Sequence, residues 1–121
     1  MFLVLNHQKL KVYSISKRIV IECYKLSEQF PSSERYGLSN QIKRAAVSIH
    51  LNIVEGSARK SEIERKRFYE IARSSLIEVD AGIDLACELN FFSDQNLEII
   101  SELVIECFKL LSGLITSNKT F

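Results

Sequence analysis

Residues 33–56, SERYGLSNQIKRAAVSIHLNIVEG, decide the fold class because one amphipathic helix fills most of the stretch. Its apolar side chains recur every three or four residues and therefore share one stripe of a helix. Ser39 is predicted to cap this helix and Gly56 to end it, which gives a helix over about 39–55. The apolar stripe consists of Ile42, Ala45, Ala46, Ile49 and Ile53.

Three further stretches show the same helical periodicity. Pro31 ends the first of them, because proline lacks an amide proton and clashes with the preceding turn. Ser61 and Glu64 have the spacing of a capping box at the start of the next. Ser93 is predicted to begin the last. In chain order, the four predicted helices span about residues 9–29, 39–55, 62–90 and 94–116.

The composition favours a single helical domain. The 121 residues include one proline, four glycines and no tryptophan, and a chain of this length buries most of its apolar surface as one unit. Short connections between long amphipathic helices favour antiparallel neighbours. The sequence therefore predicts an all-α fold, an up-down-up-down antiparallel four-helix bundle over residues 1–121.

The cysteines and the apolar segments bear on the cellular location. Cys23, Cys87 and Cys107 lie within apolar helical patterns, as the reduced thiols of cytoplasmic proteins do. The apolar N-terminal residues lack the basic leader and the cleavage site of a signal peptide. Residues 97–115 are apolar, but their charged side chains make a membrane span costly. We expect a cytoplasmic protein without a membrane contact.

A family resemblance extends over roughly residues 8–115, and the Phe30-Pro31 turn belongs to it. The other residues that carry it are Glu34, Tyr36, Gly37, Leu38, Gln41, Ser48, Ile49, Asn52, Ile53, Glu55, Gly56, Phe68, Tyr69, Ile71, Ala72, Arg73, Ser74, Ser75, Leu76 and Glu78. In these positions the chain resembles the four-helix bundle proteins called 23S rRNA intervening sequence proteins. So long a match is far more specific than one short motif.

The resemblance implies both a fold and an assembly. Proteins of this kind are four-helix bundles that tend to form five-fold rings, which implies a homo-oligomer, with a pentamer favoured. Similar proteins are encoded within ribosomal RNA genes, and an allied group serves as basic accessory proteins to reverse transcriptases of retroelements. The resemblance therefore implies nucleic acid as a ligand, RNA first, while most such proteins lack an assigned activity.

The charges are segregated along the chain, although the net charge is only +1. Residues 1–73 hold 14 Lys or Arg and 7 Asp or Glu, whereas residues 74–121 hold 2 and 8. A basic turn that adjoins a helix N-terminus favours phosphate, because the helix dipole adds to the side-chain charge. We predict a nucleic-acid-binding patch around the turn between helices two and three, formed by Lys43, Arg44, Arg59, Lys60, Arg65, Lys66 and Arg67.

The same basic residues can also serve stability or assembly. They can belong to a solvated face with helical ion pairs, such as Glu62 with Lys66. Alternatively, the acidic surface of one subunit meets the basic surface of the next in a heterologous contact. The second functional hypothesis is therefore a structural or adaptor protein that presents an oligomeric helical surface to a protein partner.

The predicted fourth helix is more apolar than a monomer requires. Its apolar residues wrap well over half of its circumference, and such a surplus face favours a subunit interface. The alternative is that this helix lies deep in the bundle and that the N-terminal tail covers it.

Several polar residues lie near the apolar stripes of helices two and three. Asn52, Glu55, Ser75 and Glu78 are predicted to form a structural polar network that sets helix register, with a polar binding site as the alternative. Where relatives often carry a proline, this chain has His50, which we expect to be exposed beside the basic turn.

No motif in the sequence specifies catalysis. Neither histidine belongs to a Glu-x-x-His pair, which carboxylate-bridged metal bundles use. A zinc site from Cys23, His50, Cys87 and Cys107 would lack Cys-x-x-Cys spacing and would draw on four different helices. We expect no catalytic residue, no metal and no cofactor, and we expect the protein to act by binding.

Overall fold

The computed structural model describes residues 2–3, 5, 10–92 and 97–117. Its α-helices are α1, Lys11–Ser27; α2, Leu38–Ser57; α3, Glu62–Glu88; and α4, Glu98–Thr116. A short 3-10 helix, Ser32–Glu34, lies between α1 and α2. No β-strand occurs in the described part of the chain, and the all-α prediction is confirmed.

Each helix packs against two neighbours, so that α1 and α3 both lie between α2 and α4. The first and second helices run antiparallel. Ser16 near the start of α1 contacts His50 in the second half of α2, whereas Tyr24 near the end of α1 lies beside Lys43.

The remaining consecutive pairs run antiparallel as well. Gly56 at the end of α2 lies against Phe68 near the start of α3. Arg73 in the first half of α3 donates a hydrogen bond to Ser112 near the end of α4. Cys87 at the end of α3 shares a depression with Leu97 at the start of α4. The helices therefore alternate in direction around the bundle.

The core forms where the apolar stripes of the four helices meet. Ile19 of α1, Ile49 of α2, Leu76 of α3 and Leu111 of α4 are completely buried. Burial of one such side chain stabilises the fold by about 1.5–3 kcal/mol. The stripe predicted for residues 42–53 faces this core throughout.

The start of α2 differs from the prediction. Ser39 lies buried inside the first turn and does not cap the helix. Instead, Glu34 Oε1 accepts a hydrogen bond from the Leu38 amide, at 2.9 Å. The Ser39 prediction was wrong because the capping group comes from the preceding 3-10 helix. At α3, by contrast, Ser61 Oγ accepts from the Glu64 amide as predicted, at 3.3 Å.

The other helix ends lie within a few residues of their predicted positions. The last residue of α3 is Glu88, and Asn90 follows with a φ of 56°. Asparagine tolerates this left-handed conformation, which stops the helix. The predicted start of the fourth helix at Ser93 lies outside the described residues, and α4 is described from Glu98.

Helix α4 is highly apolar but is not enclosed by the bundle. Ile99, Ile105 and Phe108 are exposed large apolar side chains of this helix. Phe2 and Leu3, which lie in the N-terminal tail, are themselves exposed. No helix within the described ranges is both long and apolar enough to cross a membrane. The fourth helix thus presents apolar side chains to the solvent.

Gly56 does not end α2, because the helix continues through Ser57. Its role is steric. A Cβ atom at Gly56 would lie 2.9 Å from Phe68 Cβ and 3.0 Å from Tyr69 Cε1. Real Cβ atoms essentially never make contacts shorter than 3.0 Å, so the glycine permits the close approach of α2 and α3.

We expect Gly56→Ala to lower the free energy of unfolding by about 1–3 kcal/mol, because the added methyl group overpacks the α2–α3 contact. The matched control is Gly113→Ala in α4, where an added Cβ atom meets nothing within 4 Å. The control should gain roughly 0.5–1 kcal/mol from the higher helix propensity of alanine. Urea unfolding followed by far-UV circular dichroism measures both, and an equal gain in both variants would contradict the close approach.

Candidate nucleic-acid interface

The seven predicted basic residues form two groups rather than one patch. Arg59, Lys60, Arg65, Lys66 and Arg67 surround the turn between α2 and α3, and we name them the turn cluster. Lys43 and Arg44 lie in the first half of α2 and form the α2 pair. About fifteen helical residues separate the groups, which corresponds to roughly 20 Å along the helix axis.

Arg65 faces the inside of the turn and is only 8% exposed. Its Nη1 atom donates to the backbone carbonyl oxygens of Lys60, at 2.7 Å, and of Arg59, at 3.1 Å. Hydrogen bonds from a charged donor are stronger than neutral ones. Arg65 therefore clamps the α2–α3 turn, and its burial contradicts the phosphate contact that the sequence predicted for it.

Two other members of the turn cluster take part in ion pairs. Arg59 Nη2 lies 2.9 Å from Glu55 Oε2, and Lys66 Nζ lies 3.3 Å from Glu62 Oε1. The Arg59 guanidinium also lies 5.1 Å from the ring centroid of Phe68. Ion pairs at partly exposed positions contribute little to stability. The charges of Arg59 and Lys66 are therefore balanced by carboxylates four residues away, and both side chains remain near the surface.

Lys60 and Arg67 are exposed cations of the turn cluster that lie outside these two ion pairs. Lys60 directly precedes Ser61, the cap of α3. Arg67 lines a shallow depression on the outer side of α3 together with Glu70 and Ser74. These two side chains stand at the same end of the bundle and are open to a ligand.

The α2 pair lies beside a tyrosine that sequence reasoning did not single out. Lys43 Nζ is 5.4 Å from the ring centroid of Tyr24 on α1. Arg44 is exposed and lines two adjoining depressions, one that includes Tyr24 and one that includes Glu78. Only the antiparallel pairing of α1 with α2 places residue 24 opposite residue 43, so the sequence spacing carried no signal for this contact.

The predicted polar network is only partly assembled. Ser48 Oγ and Ser75 Oγ lie 2.8 Å apart and join α2 to α3. Asn52 Nδ2 donates to Ser48 O at 2.8 Å and to Ser48 Oγ at 3.1 Å. Ser48 is thus the link that the predicted set omitted. Glu55 and Glu78 are exposed, and Glu78 lines the depression beside Ser75.

His50 lies at the α1–α2 contact and not beside the basic turn. Its Nδ1 atom is 2.8 Å from Ser16 Oγ, and its ring centroid is 5.0 Å from that of Tyr13. Ser16 is completely buried. The expectation of an exposed His50 was wrong, because the helical position of residue 50 turns its side chain toward α1.

The cysteines have different surroundings. Cys23 and Cys107 are completely buried, and burial raises the pKa of each thiol to about 12, with nearby Glu22 adding to the effect at Cys23. Cys87 is exposed. Among the described residues, no group of three or more His, Cys, Asp or Glu side chains is arranged to hold a metal ion.

Comparison with known proteins gives a family and a fold. A sequence profile of the family described as 23S rRNA-intervening sequence protein matches residues 8–113. A Bacteroides thetaiotaomicron protein of unknown function from the S23 ribosomal protein family has a crystal structure similar to this one, with a TM-score of 0.79 at 22% sequence identity. The match covers 88% of this chain and 99% of that chain. A search of curated proteins returned no match.

We expect Arg65→Ala to lower the free energy of unfolding by about 1.5–3 kcal/mol, because two charge-assisted hydrogen bonds are lost. Arg67→Ala is the matched control, since Arg67 is exposed and should change stability by less than about 0.5 kcal/mol. Urea unfolding measures both variants. Equal, small effects would contradict the clamp.

Proposed function

The chain belongs to the 23S rRNA-intervening sequence protein family, and from this membership we propose that it binds nucleic acid, RNA first, without catalysing a reaction. The observation that carries the proposal is the pair of exposed cations, Lys60 and Arg67, at the α2–α3 end of the bundle. Cationic side chains that neutralise phosphates supply most of the sequence-independent affinity for nucleic acids.

Arg44 extends this surface along the α2–α3 side. The depression that contains Arg44 and the one that contains Arg67 share Ser75 and Glu78, so the two arginines lie along one continuous side of the bundle. The eleven residue steps from position 67 to position 78 of α3 correspond to roughly 16 Å along the helix, a span of several phosphates. The carboxylates of Glu70 and Glu78 lie between the two arginines. The proposed phosphate contacts are therefore separate positions and do not form a continuous basic stripe.

The other predicted residues take secondary roles in this proposal. Arg59 and Lys66 can exchange a partly exposed carboxylate for a phosphate at little cost in stability. Lys43 supports the edge of the surface beside Arg44. Arg65 acts indirectly: it donates a hydrogen bond to the carbonyl oxygen of Lys60 and so stabilises the turn that carries the Lys60 side chain.

Few point contacts on one chain give weak affinity, so the proposal includes a homo-oligomer in the cytoplasm. Repeating the same cations on each subunit raises the overall affinity through effective concentration, without a new contact. The pentameric ring that the family resemblance implies stays a prediction.

The alternative function is that of an adaptor for a protein partner. The observation in its favour is the exposed apolar surface of α3 and α4, which includes Ile77, Ile105 and Phe108. Soluble proteins seldom leave contiguous large apolar side chains open to water unless a partner covers them. In this case the polar side of α2 and α3 serves assembly or solubility and has no affinity for RNA.

The deciding experiment is a fluorescence-anisotropy titration of structured RNA and of duplex DNA, at low and at near-physiological salt. We expect Lys60→Glu/Arg67→Glu to weaken RNA binding at low salt by at least about tenfold and to reduce the slope of log K against log salt by about 2. The control is Arg35→Glu, an exposed cation at the opposite end of α2, which should change the affinity by less than about threefold.

Three results would count against the nucleic-acid proposal. They are no binding by the native protein at low salt, binding that does not depend on salt, and equal losses in the double variant and in Arg35→Glu. The first result leaves the adaptor as the working function, and size-exclusion chromatography then shows whether the charge reversal has disturbed the assembly.

A further inference from the structure

The groove between α3 and α4 is apolar and open. Leu76 and Val104 form its floor, while Ile77 and Ile105 stand on its edges and are 54% and 56% exposed. Phe108 continues the apolar surface toward the end of α4. Because α4 contacts only α1 and α3, no other described helix covers this groove.

The ends of the groove carry opposite charges. Asp80 and Asp84 line it toward the start of α4, and Lys109 lines it at the other end, next to Phe108. Along the groove, the surface therefore runs from acidic through apolar to basic.

The outer face of α1 carries the reverse pattern. Lys17, Ile21, Tyr24 and Glu28 follow one another at spacings of four, three and four residues, which places them on a single stripe of the helix and its C-terminal cap. All four are exposed, and Ile21 and Tyr24 are each 48% exposed. The stripe itself runs from basic through apolar to acidic, and the exposed Lys25 lies beside its acidic end.

We propose that the outer face of α1 from a second copy of this chain docks in the α3–α4 groove. Ile21 and Tyr24 then cover Ile77, Ile105 and Phe108. In that register, Lys17 meets Asp80 and Asp84, while Glu28 meets Lys109. The α1 stripe is about 16 Å long. The groove is about 12 Å long from the level of Ser101 to Lys109, and the long charged side chains at its two ends make up the difference. An amphipathic helix in an apolar groove is a common recognition geometry.

The contact is head-to-tail, because the two surfaces differ. Each subunit offers its α1 face to one neighbour and its groove to another, which produces a closed ring or an open filament. A symmetric pairing of two grooves leaves the α1 stripe uncovered. The proposal deepens the assembly part of the proposed function but does not use Lys60 or Arg67, which lie at the α2–α3 turn.

The test uses one variant in each surface. Ile21→Asp places a charge in the α1 face, and Ile105→Asp places one in the groove; both side chains are half-exposed, so the fold should tolerate the changes. Sedimentation velocity of the native protein should show an assembly. Each variant alone should fall to the mass of one chain, 13.9 kDa. Circular dichroism checks that both variants keep the native helix content.

A one-to-one mixture of the two variants is the discriminating sample. Ile21→Asp keeps an intact groove and Ile105→Asp keeps an intact α1 face, so the mixture retains one good contact and should form a dimer of about twice the single-chain mass. Ile63→Asp is the matched control, since Ile63 is 81% exposed and lies outside both surfaces, and it should assemble like the native protein.

The remaining outcomes overturn the proposal. A monomeric native protein, a variant that still assembles, or a folded mixture that stays monomeric shows that these surfaces do not meet. If the chain stays monomeric and a peptide from another protein binds in the groove, the partner of the groove is that other protein and not a second copy of this chain. The RNA titration of Lys60→Glu/Arg67→Glu is read independently, so the failure of one proposal is distinguishable from the failure of the other.

Discussion

The close packing of α2 against α3 is the constraint on which the rest of the structure depends. Gly56 lets the two helices approach where Phe68 and Tyr69 leave no room for a Cβ atom, and Gly82 does the same against Ile42. Between these points, the hydroxyl groups of Ser48 and Ser75 share a hydrogen bond. Two steric contacts and one polar contact set the register of the pair, which in turn determines where the α2–α3 turn projects its side chains.

The same packing divides the basic residues by role. Only residues 58–61 connect α2 to α3, and Arg65 donates hydrogen bonds to two carbonyl groups of this turn. Arg59 and Lys66 pair with carboxylates one helical turn away. Lys60 and Arg67 stay on the outside, apart from these pairs. Their exposed position is the basis of the proposed phosphate contact, and only part of the charge counted along this segment faces the solvent.

Periodicity and turn chemistry accounted for most of the fold and for part of the site. The four apolar stripes, the Ser61 cap and the order of the helices are local properties, since each depends on residues within a few positions of one another. Three predictions, about Ser39, Gly56 and His50, were wrong because contacts between elements decide these positions. A side chain of the 3-10 helix caps α2, Gly56 lies against α3, and His50 lies against α1. The contact of Lys43 with Tyr24, which the sequence did not predict, is likewise a contact between two helices.

By itself, the sequence determined the all-α class, the number and approximate bounds of the helices and the segregation of charge, because these follow from short-range spacing and composition. Only the tertiary structure decided which arginine faces inward, which serine links two helices and which apolar stripe is left open. Those outcomes depend on the distance and rotation between helices. Both are set by side-chain packing between residues far apart in the chain, and spacing along one helix carries no record of them.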